Sequence, residues 1–364
     1  MALSIGIVGL PNVGKSTLFN ALNGGGAEAA NYPFCTIDPN VGLVPVPDKR
    51  LQPLVDIVKP QAVQQAVVEF VDIAGLVAGA ASGEGLGNKF LGNIRECAAI
   101  AHVVRCFDDE NVTHVHDAVN PLSDIETIDT ELMLKDMESL EKAIGKQQKL
   151  ARSGDKAARQ AVLAMQTVLQ GLENGVTVRR QTLRDDIREA IEPLNLLTAK
   201  PVLYVANVDD SSLPDGNAYV EQVREFVQAE GAEVAVVSAQ IESELVEMDE
   251  DDKMEFLSDL GLTEPGLNTV IRTAYKLLNL ITYFTAGVKE VRAWTIHAGD
   301  TAPKAAGVIH TDFEKGFIRA EVIAYDDFVK LGGEAKCKEA GKMRLEGKDY
   351  IVQDGDIMHF RFNV

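Results

Sequence analysis

Two glycines, a lysine and a serine stand near the start of the chain at a spacing suited to phosphate, in Gly9-Leu10-Pro11-Asn12-Val13-Gly14-Lys15-Ser16. The glycines let backbone N–H groups wrap an anion, the lysine reaches β- and γ-oxygens, and the hydroxyl serves Mg²⁺. The apolar run Ser4-Ile5-Gly6-Ile7-Val8 precedes the segment and Thr17-Leu18-Phe19-Asn20-Ala21-Leu22 continues it. That is the strand–loop–helix setting a phosphate loop needs. Asn12, Val13, Gly14, Lys15, Ser16 and Thr17 are therefore the expected phosphate contacts, and the expected chemistry is nucleotide hydrolysis. Asp72-Ile73-Ala74-Gly75 closes a second apolar run. An Asp there holds the water shell of a metal, and the Gly N–H meets a γ-phosphate. An Asp at a strand end also caps turns; the phosphate loop upstream favours the metal role for Asp72. Between the two, Thr36 ends the loop Asn31-Tyr32-Pro33-Phe34-Cys35-Thr36 and is placed to close over Mg²⁺.

The base-reading segment is less orthodox. Guanine-specific switch proteins carry Asn-Lys-x-Asp after a late strand, whereas this chain has Asn207-Val208-Asp209-Asp210. The lysine is replaced by Val208, and the acid at the fourth position, Asp210, remains. Ser238-Ala239, after the next apolar run, resembles the companion Ser-Ala loop. Adenine presents a bare N1 acceptor that a carboxylate would repel, while backbone near Val208 and the Asn207 amide could recognise it. On these residues ATP and GTP are both open. Many such hydrolases place Gln directly after the DxxG motif to orient water, and here that residue is Leu76. Another group orients water, or turnover is slow, or a partner completes the site.

Strands must carry these loops. Ser4–Val8, Val67–Val71 and His102–Phe107 are apolar runs in the first part of the chain, and Pro201–Ala206 and Glu233–Val237 resume the pattern later. Runs that alternate with helical segments imply an α/β fold with a mostly parallel sheet covered on both faces. What interrupts the sheet is helical: Met133, Met137, Leu140 and Ile144, then Val162, Met165, Leu169 and Leu172, make two seams of coiled-coil type. Arg152-Ser153-Gly154-Asp155 supplies the turn between antiparallel helices. The reading is a projecting arm; a packed helical layer would give the same seams. After a helical stretch, Leu267 to Leu280, short β-rich runs such as Val291–Ile296 and His359–Val364 alternate with turns such as Asp354-Gly355-Asp356, giving a small separate domain.

Composition limits the partners. A net charge of −20 argues against a broad basic surface for bare nucleic acid. The charge is uneven: residues 281–364 hold 12 Lys/Arg against 13 Asp/Glu, and residues 135–190 hold 11 against 8. A phosphate-rich partner could approach those parts, although ordinary solvated faces look the same. Cys35, Cys97, Cys106 and Cys337 lie far apart, with neither disulfide framework nor zinc site implied. No run is apolar for long enough to span a membrane and no leader is evident, so a cytoplasmic protein is expected.

The chain resembles the YchF subfamily of Obg-related P-loop proteins, the Obg-like ATPases, over essentially its full length. The resemblance rests on Gly6 through Leu22, Asn31 through Asn40, and Asp72-Ile73-Ala74-Gly75-Leu76 with the following Gly83-Glu84-Gly85-Leu86-Gly87-Asn88. Tyr283 through Trp294 and His310 through Ile318 carry it in the last domain. It implies a P-loop domain over 1–124 and 196–280, an inserted coiled-coil arm over 125–195 and a β-rich TGS domain over 281–364. It also implies Mg²⁺-dependent ATP hydrolysis, with ATP preferred over GTP through the altered base-reading motif. The family usually has Glu where this chain has Asp210, which keeps modest GTP use in play. A hydrophobic residue in place of the Gln is a family trait that Leu76 matches. By the same resemblance His114, with His116 close by, replaces that Gln as the group orienting water, and Asn12 matches a residue that helps hold K⁺. Ribosome association through the large subunit, or RNA binding, by the arm and the TGS domain is implied as well.

Overall fold

The computed structural model describes residues 4–24, 40–73, 88–109 and 119–363. Their packing divides the chain into two units: Met1–Gly42 with Glu69–Val270, and Leu43–Val68 with Ile271–Val364.

The first unit is built on a sheet of order β2-β4-β1-β5-β6-β7. Its strands are β1 (Ser4–Val8), β2 (Val41–Pro45), β4 (Val67–Asp72), β5 (Ala99–Arg105), β6 (Val202–Asn207) and β7 (Glu233–Val237). From β4 to β7 every neighbour pair is parallel. β1, β5 and β6 are buried along their whole length, which is why they read as unbroken apolar runs rather than alternating ones. The third strand begins three residues earlier than its apolar run suggested and stops at Arg105, since Cys97 and Ala99 join the same core. Helices α1 (Lys15–Gly24), α3 (Asn88–Glu96) and α7 (Ala218–Gln228) lie between these strands, and α8 (Ala239–Glu247) follows β7. α9 (Glu250–Asp259) follows α8 and packs Leu257 against Ile241 and Leu245.

The insertion is a helical hairpin. α4 (Pro121–Arg152) starts with Pro121 at its first position and Asn120 accepting from the Ser123 N–H at 3.2 Å, a pre-organised N-terminus. α5 (Lys156–Glu173) is capped by Asp155, which accepts from the Ala158 N–H at 3.1 Å. Gly154 turns the chain between them at φ +99, a left-handed conformation that glycine adopts without steric cost. Met133, Leu140, Ile144, Val162, Met165 and Leu172 are buried in one cluster, with Met137 and Leu169 packed on it. A short helix, α6 (Asp185–Ile191), brings the chain back. At the root, fully buried Asp136 accepts from the Leu197 and Thr198 N–H groups and the Thr198 hydroxyl at 2.7–2.8 Å. Beside it Arg179 meets Asp129 at 2.6 Å and Glu230 at 2.9 Å.

The second unit holds a mixed sheet of order β11-β10-β12-β8-β9-β3. Its strands are β3 (Ala62–Gln64), β8 (Leu280–Ala286), β9 (Glu290–His297), β10 (Phe317–Ile323), β11 (Arg344–Glu346) and β12 (Ile357–Phe362). β8 and β9 form an antiparallel hairpin reached from α10 (Gly266–Leu277), and β12 runs parallel to β8. Helix α11 (Ala302–Ile309) packs Ala302, Ala305 and Ala306 against Tyr283, Val322 and Phe360, α12 (Thr311–Lys315) adds Phe313 to that cluster, and α13 (Tyr325–Leu331) and α14 (Glu334–Glu339) follow.

Residues 43–68 group with this unit, although the sequence places them between nucleotide-binding motifs. β3 pairs with β9 from Ala62↔Glu290 to Gln64↔Arg292. Near α2 (Leu51–Val58), Arg50 bonds Asp48 at 2.7 Å and Asp354 at 2.8 Å and stacks over the Phe284 ring at 5.2 Å. Within this division the arm groups with the first unit and residues 43–68 with the second.

Candidate active site

The predicted phosphate loop leaves the C-terminal end of β1, where Ile7 is in register with Asp72 of β4 and Val8 with His102 of β5. Asn207 ends β6 opposite Arg105 and Val237. Four motifs far apart in sequence thus share one edge of a parallel sheet, the edge at which open α/β sheets bind ligands. Asn12 takes φ +62 and Gly14 φ +92. A Cβ on Gly14 would lie 2.3 Å from Asn207 Nδ2, and one on Gly9 would lie 2.6 Å from the Val103 carbonyl oxygen. Gly14 is thus fixed by its left-handed conformation and by the Asn207 side chain, and Gly9 by close approach to the Val103 backbone.

α1 starts at Lys15, and the Leu18 N–H closes the first helical bond to the Gly14 carbonyl at 2.9 Å. N–H groups ahead of it have no carbonyl within the helix, and the first turn holds no acidic side chain. A helix start of this kind attracts an anion. Ser16 and Thr17 are exposed there, and Lys15 is half-buried. Burial holds the Lys15 ammonium below the usual lysine range, and Asp72 offsets part of that. Burial likewise pushes the Asp72 carboxyl up, with Lys15 pulling it back.

Asp72 Oδ1 is buried and has no hydrogen-bond partner among the described residues. An orphaned carboxylate oxygen is costly unless something else satisfies it. With the exposed Ser16 hydroxyl, it fits a hard divalent cation or the water such a cation carries. No set of three or more His, Cys, Asp or Glu side chains suited to a metal occurs among the described residues. A metal here would therefore depend on phosphate oxygens for part of its shell.

The base-reading segment behaves differently from expectation. Asn207 is buried; its Nδ2 donates to the Val13 carbonyl at 2.9 Å and its Oδ1 accepts from the Ala239 N–H at 2.8 Å. It is a brace between the phosphate loop and the β7–α8 loop, with one Nδ2–H and one Oδ1 lone pair outside these two bonds. Val208 is buried too, its N–H bonded to the Val237 carbonyl at 2.9 Å. Ser238 caps α8 by accepting from the Ile241 N–H at 3.4 Å. Asp210 is exposed, so only it among the predicted base contacts offers a side chain to solvent.

Two family profiles match the chain. One, described as "50S ribosome-binding GTPase", covers residues 4–136. The other, YchF-GTPase_C, described as "Protein of unknown function (DUF933)", covers residues 280–363. The ribosome-binding ATPase YchF of Pasteurella multocida is 63% identical over 364 residues, all of both chains. Those of Escherichia coli O157:H7 and Bacillus subtilis are 58% and 55% identical, again over the full length of both chains. A solved structure titled as the YchF GTPase of Schizosaccharomyces pombe superposes with a TM-score of 0.90 at 39% identity, over 98% of this chain and 97% of that one. The chain belongs to the YchF family.

Three residues expected to act at a YchF site, Thr36, Leu76 and His114, lie outside the described residues, as do Cys35 and His116. Others went unnoticed in the sequence. Buried Arg105 donates to the carbonyls of Phe107 and Asp109 at 3.1 and 3.2 Å and stacks over the Phe107 ring at 4.6 Å, ordering the chain ahead of residue 110. Asn217 caps α7 and donates to the Cys106 carbonyl at 2.8 Å. Nothing local marks Asn217, whose partner Cys106 lies 111 residues away, whereas Arg105 bonds backbone only two and four residues on. Cys97, Cys106 and Cys337 are free and buried. Among the described residues, no helix is long and apolar enough to cross a membrane.

Proposed function

We propose that this chain is a cytoplasmic, Mg²⁺-dependent ATP hydrolase that acts as a regulatory switch on the ribosome. The observation that carries the reading is the orphaned Asp72 carboxylate beside Lys15 at the mouth of a glycine-fixed phosphate loop. The names of the full-length relatives, ribosome-binding ATPases, support both the nucleotide and the partner.

Backbone N–H groups from Asn12 to Thr17 cradle the β- and γ-phosphates, and Lys15 donates to their bridging region. Ser16, Thr36 and Asp72 hold Mg²⁺ directly or through its water; bound there, the ion offsets charge on the phosphate oxygens. His114 orients the water. As water attacks the γ-phosphorus, its oxygen bonds to phosphorus, the bond to the β-phosphate oxygen breaks, and ADP and phosphate leave with one proton released. ATP rather than GTP is favoured because Val208 replaces the lysine of the guanine motif and is buried. Asp210 and the backbone beside Val208 and Ser238 are left to meet the base, and Asn207 acts by holding that loop. Asn12 serves a K⁺ site. The parts are a nucleotide domain over 1–124 and 196–280, a coiled-coil arm over 125–195 and a TGS domain over 281–364. The arm and TGS domain meet the large subunit or its RNA.

Calorimetric titration with ATP and GTP, in matched Mg²⁺ and with K⁺ or Na⁺, tests the assignment. Tighter ATP binding that needs Mg²⁺ is expected, and tighter GTP binding overturns it. For His114→Ala, retained nucleotide binding with lost turnover is expected; unchanged turnover removes His114 from the mechanism. Pelleting with ribosomes in ATP, a non-hydrolysable analogue and ADP tests the switch, which requires occupancy to differ among the three.

A further inference from the structure

The end of the helical hairpin has a charge opposite to the rest of the chain. Residues 142–163 carry six basic side chains, Lys142, Lys146, Lys149, Arg152, Lys156 and Arg159, and one acidic side chain, Asp155. The local net charge of +5 sits on a chain of net −20. All six basic residues are exposed, and none forms an ion pair among the described residues. Asp155 is occupied in capping α5, whereas Lys135, farther down the arm, is paired with Glu138 at 2.9 Å.

Their arrangement is regular. Lys142, Lys146 and Lys149 are spaced four and three on α4, so they share one face about 10 Å long. Lys156 and Arg159 open α5 across the turn at Ser153-Gly154. The seam side chains Leu140, Ile144, Ala158 and Val162 are buried between the helices. Burial of the seam thus fixes which way the basic faces point, and holds them on a stiff support. Solubility does not account for the pattern. On an acidic protein, a basic tip weakens repulsion between copies instead of adding to it. Leu150 and Leu163, 51% and 65% exposed, lie in the same stretch and offer apolar contact among the charges.

We infer that this tip docks on the phosphate backbone of structured ribosomal RNA, and that it is the point through which the ribosome association proposed above is made. The inference rests on that association. RNA is the occupant because a dense row of cations outside any ion pair, with almost no acid among them, matches a polyanion better than a protein surface of mixed charge. Binding is to phosphates, so it is independent of sequence and sensitive to salt.

The test uses the full chain, with Lys146→Gln, Lys149→Gln and Arg152→Gln combined. All three positions are exposed, so circular dichroism and basal ATP hydrolysis should match the parent. In pelleting with ribosomes across a salt series, the variant should bind at least about tenfold more weakly. Its slope of log affinity against log salt should be shallower by about 3, because each cation removed leaves one phosphate with its counterion. A parent that pellets and a variant with unchanged affinity and slope overturn the tip assignment while leaving the ribosome reading intact. A parent that never pellets removes both. A photoreactive residue in place of Ser153 should crosslink to ribosomal RNA in a nuclease-sensitive band; a crosslink to ribosomal protein alone overturns the choice of RNA.

Discussion

A half-buried lysine and a half-buried carboxyl weaken an empty site and favour a filled one. The folded pKa of Asp72 is raised, so its unfavourable contribution grows as pH climbs out of the usual aspartate range. The folded pKa of Lys15 is lowered, so its contribution is unfavourable below the usual lysine range. Both costs are present at neutral pH. Asp72→Asn should therefore raise the melting temperature of nucleotide-free protein while abolishing Mg²⁺-dependent turnover; a lower melting temperature would count against the orphaned oxygen. Glu242 behaves similarly without a ligand in prospect. It is 3% exposed, accepts from the Gly266 N–H at 2.7 Å, and burial pushes its carboxyl up to about 7. Stability should fall as pH rises from about 4.5 to 7 through this group, and Glu242→Gln should remove that fall. The gain at pH 8 is on the order of 1–3 kcal/mol, read by denaturant unfolding. Asn207→Ala strips the brace from Val13 and Ala239. It should cost on the order of 2 kcal/mol and weaken ATP and GTP binding by similar factors. A change in their ratio alone would make Asn207 a base reader after all. The motif was legible at this scale because its residues are contiguous. The brace was not, because Val13 and Asn207 are 194 residues apart and only the sheet reveals that they touch.

Among the elements, the arm shows what periodicity can and cannot convey. Its seam was readable because burial selects every third or fourth residue, and the turn because Ser-Gly-Asp breaks a helix. How the arm is rooted was invisible: Asp129, Arg179 and Glu230 come from three separate segments, and each alone resembles a surface charge. All three side chains are at most 8% exposed, so removing the cation leaves buried Asp129 without its ion pair, while Glu230 keeps Arg180 at 3.0 Å. Arg179→Met should destabilise the first unit by about 3–5 kcal/mol and lower the unfolding midpoint. Exposed substitutions at the tip should not, and equal effects at root and tip would contradict this account. Burial also holds the neighbouring His102 down to about 4, since it is enclosed beside this cluster. His102 therefore stays neutral through the physiological range and contributes no switch there.

For the molecule as a whole, the second unit is the informative one. Its last strands were recognisable from alternation and turns, but β3 was not. Three residues, Ala62–Gln64, carry too little pattern, and their partner β9 begins 228 positions later. A chain starting at Ile271 would lose β3, α2 and Arg50, leaving β9 as an open edge and Phe284 without its guanidinium cover. Such a fragment should unfold with a broad, weakly cooperative transition. The same fragment supplied with a peptide of residues 43–68 should sharpen it. A sharp transition without the peptide would show that the segment is dispensable.

The borrowed strand also has a consequence for synthesis. On a growing chain β3 emerges early, and the strand that completes it is translated roughly 10–45 s later, at about 5–20 residues per second. In that interval the whole first unit, which ends at Val270, can emerge and fold around a loop that is still unattached. The nascent protein should thus acquire nucleotide-binding capacity before its C-terminal unit exists.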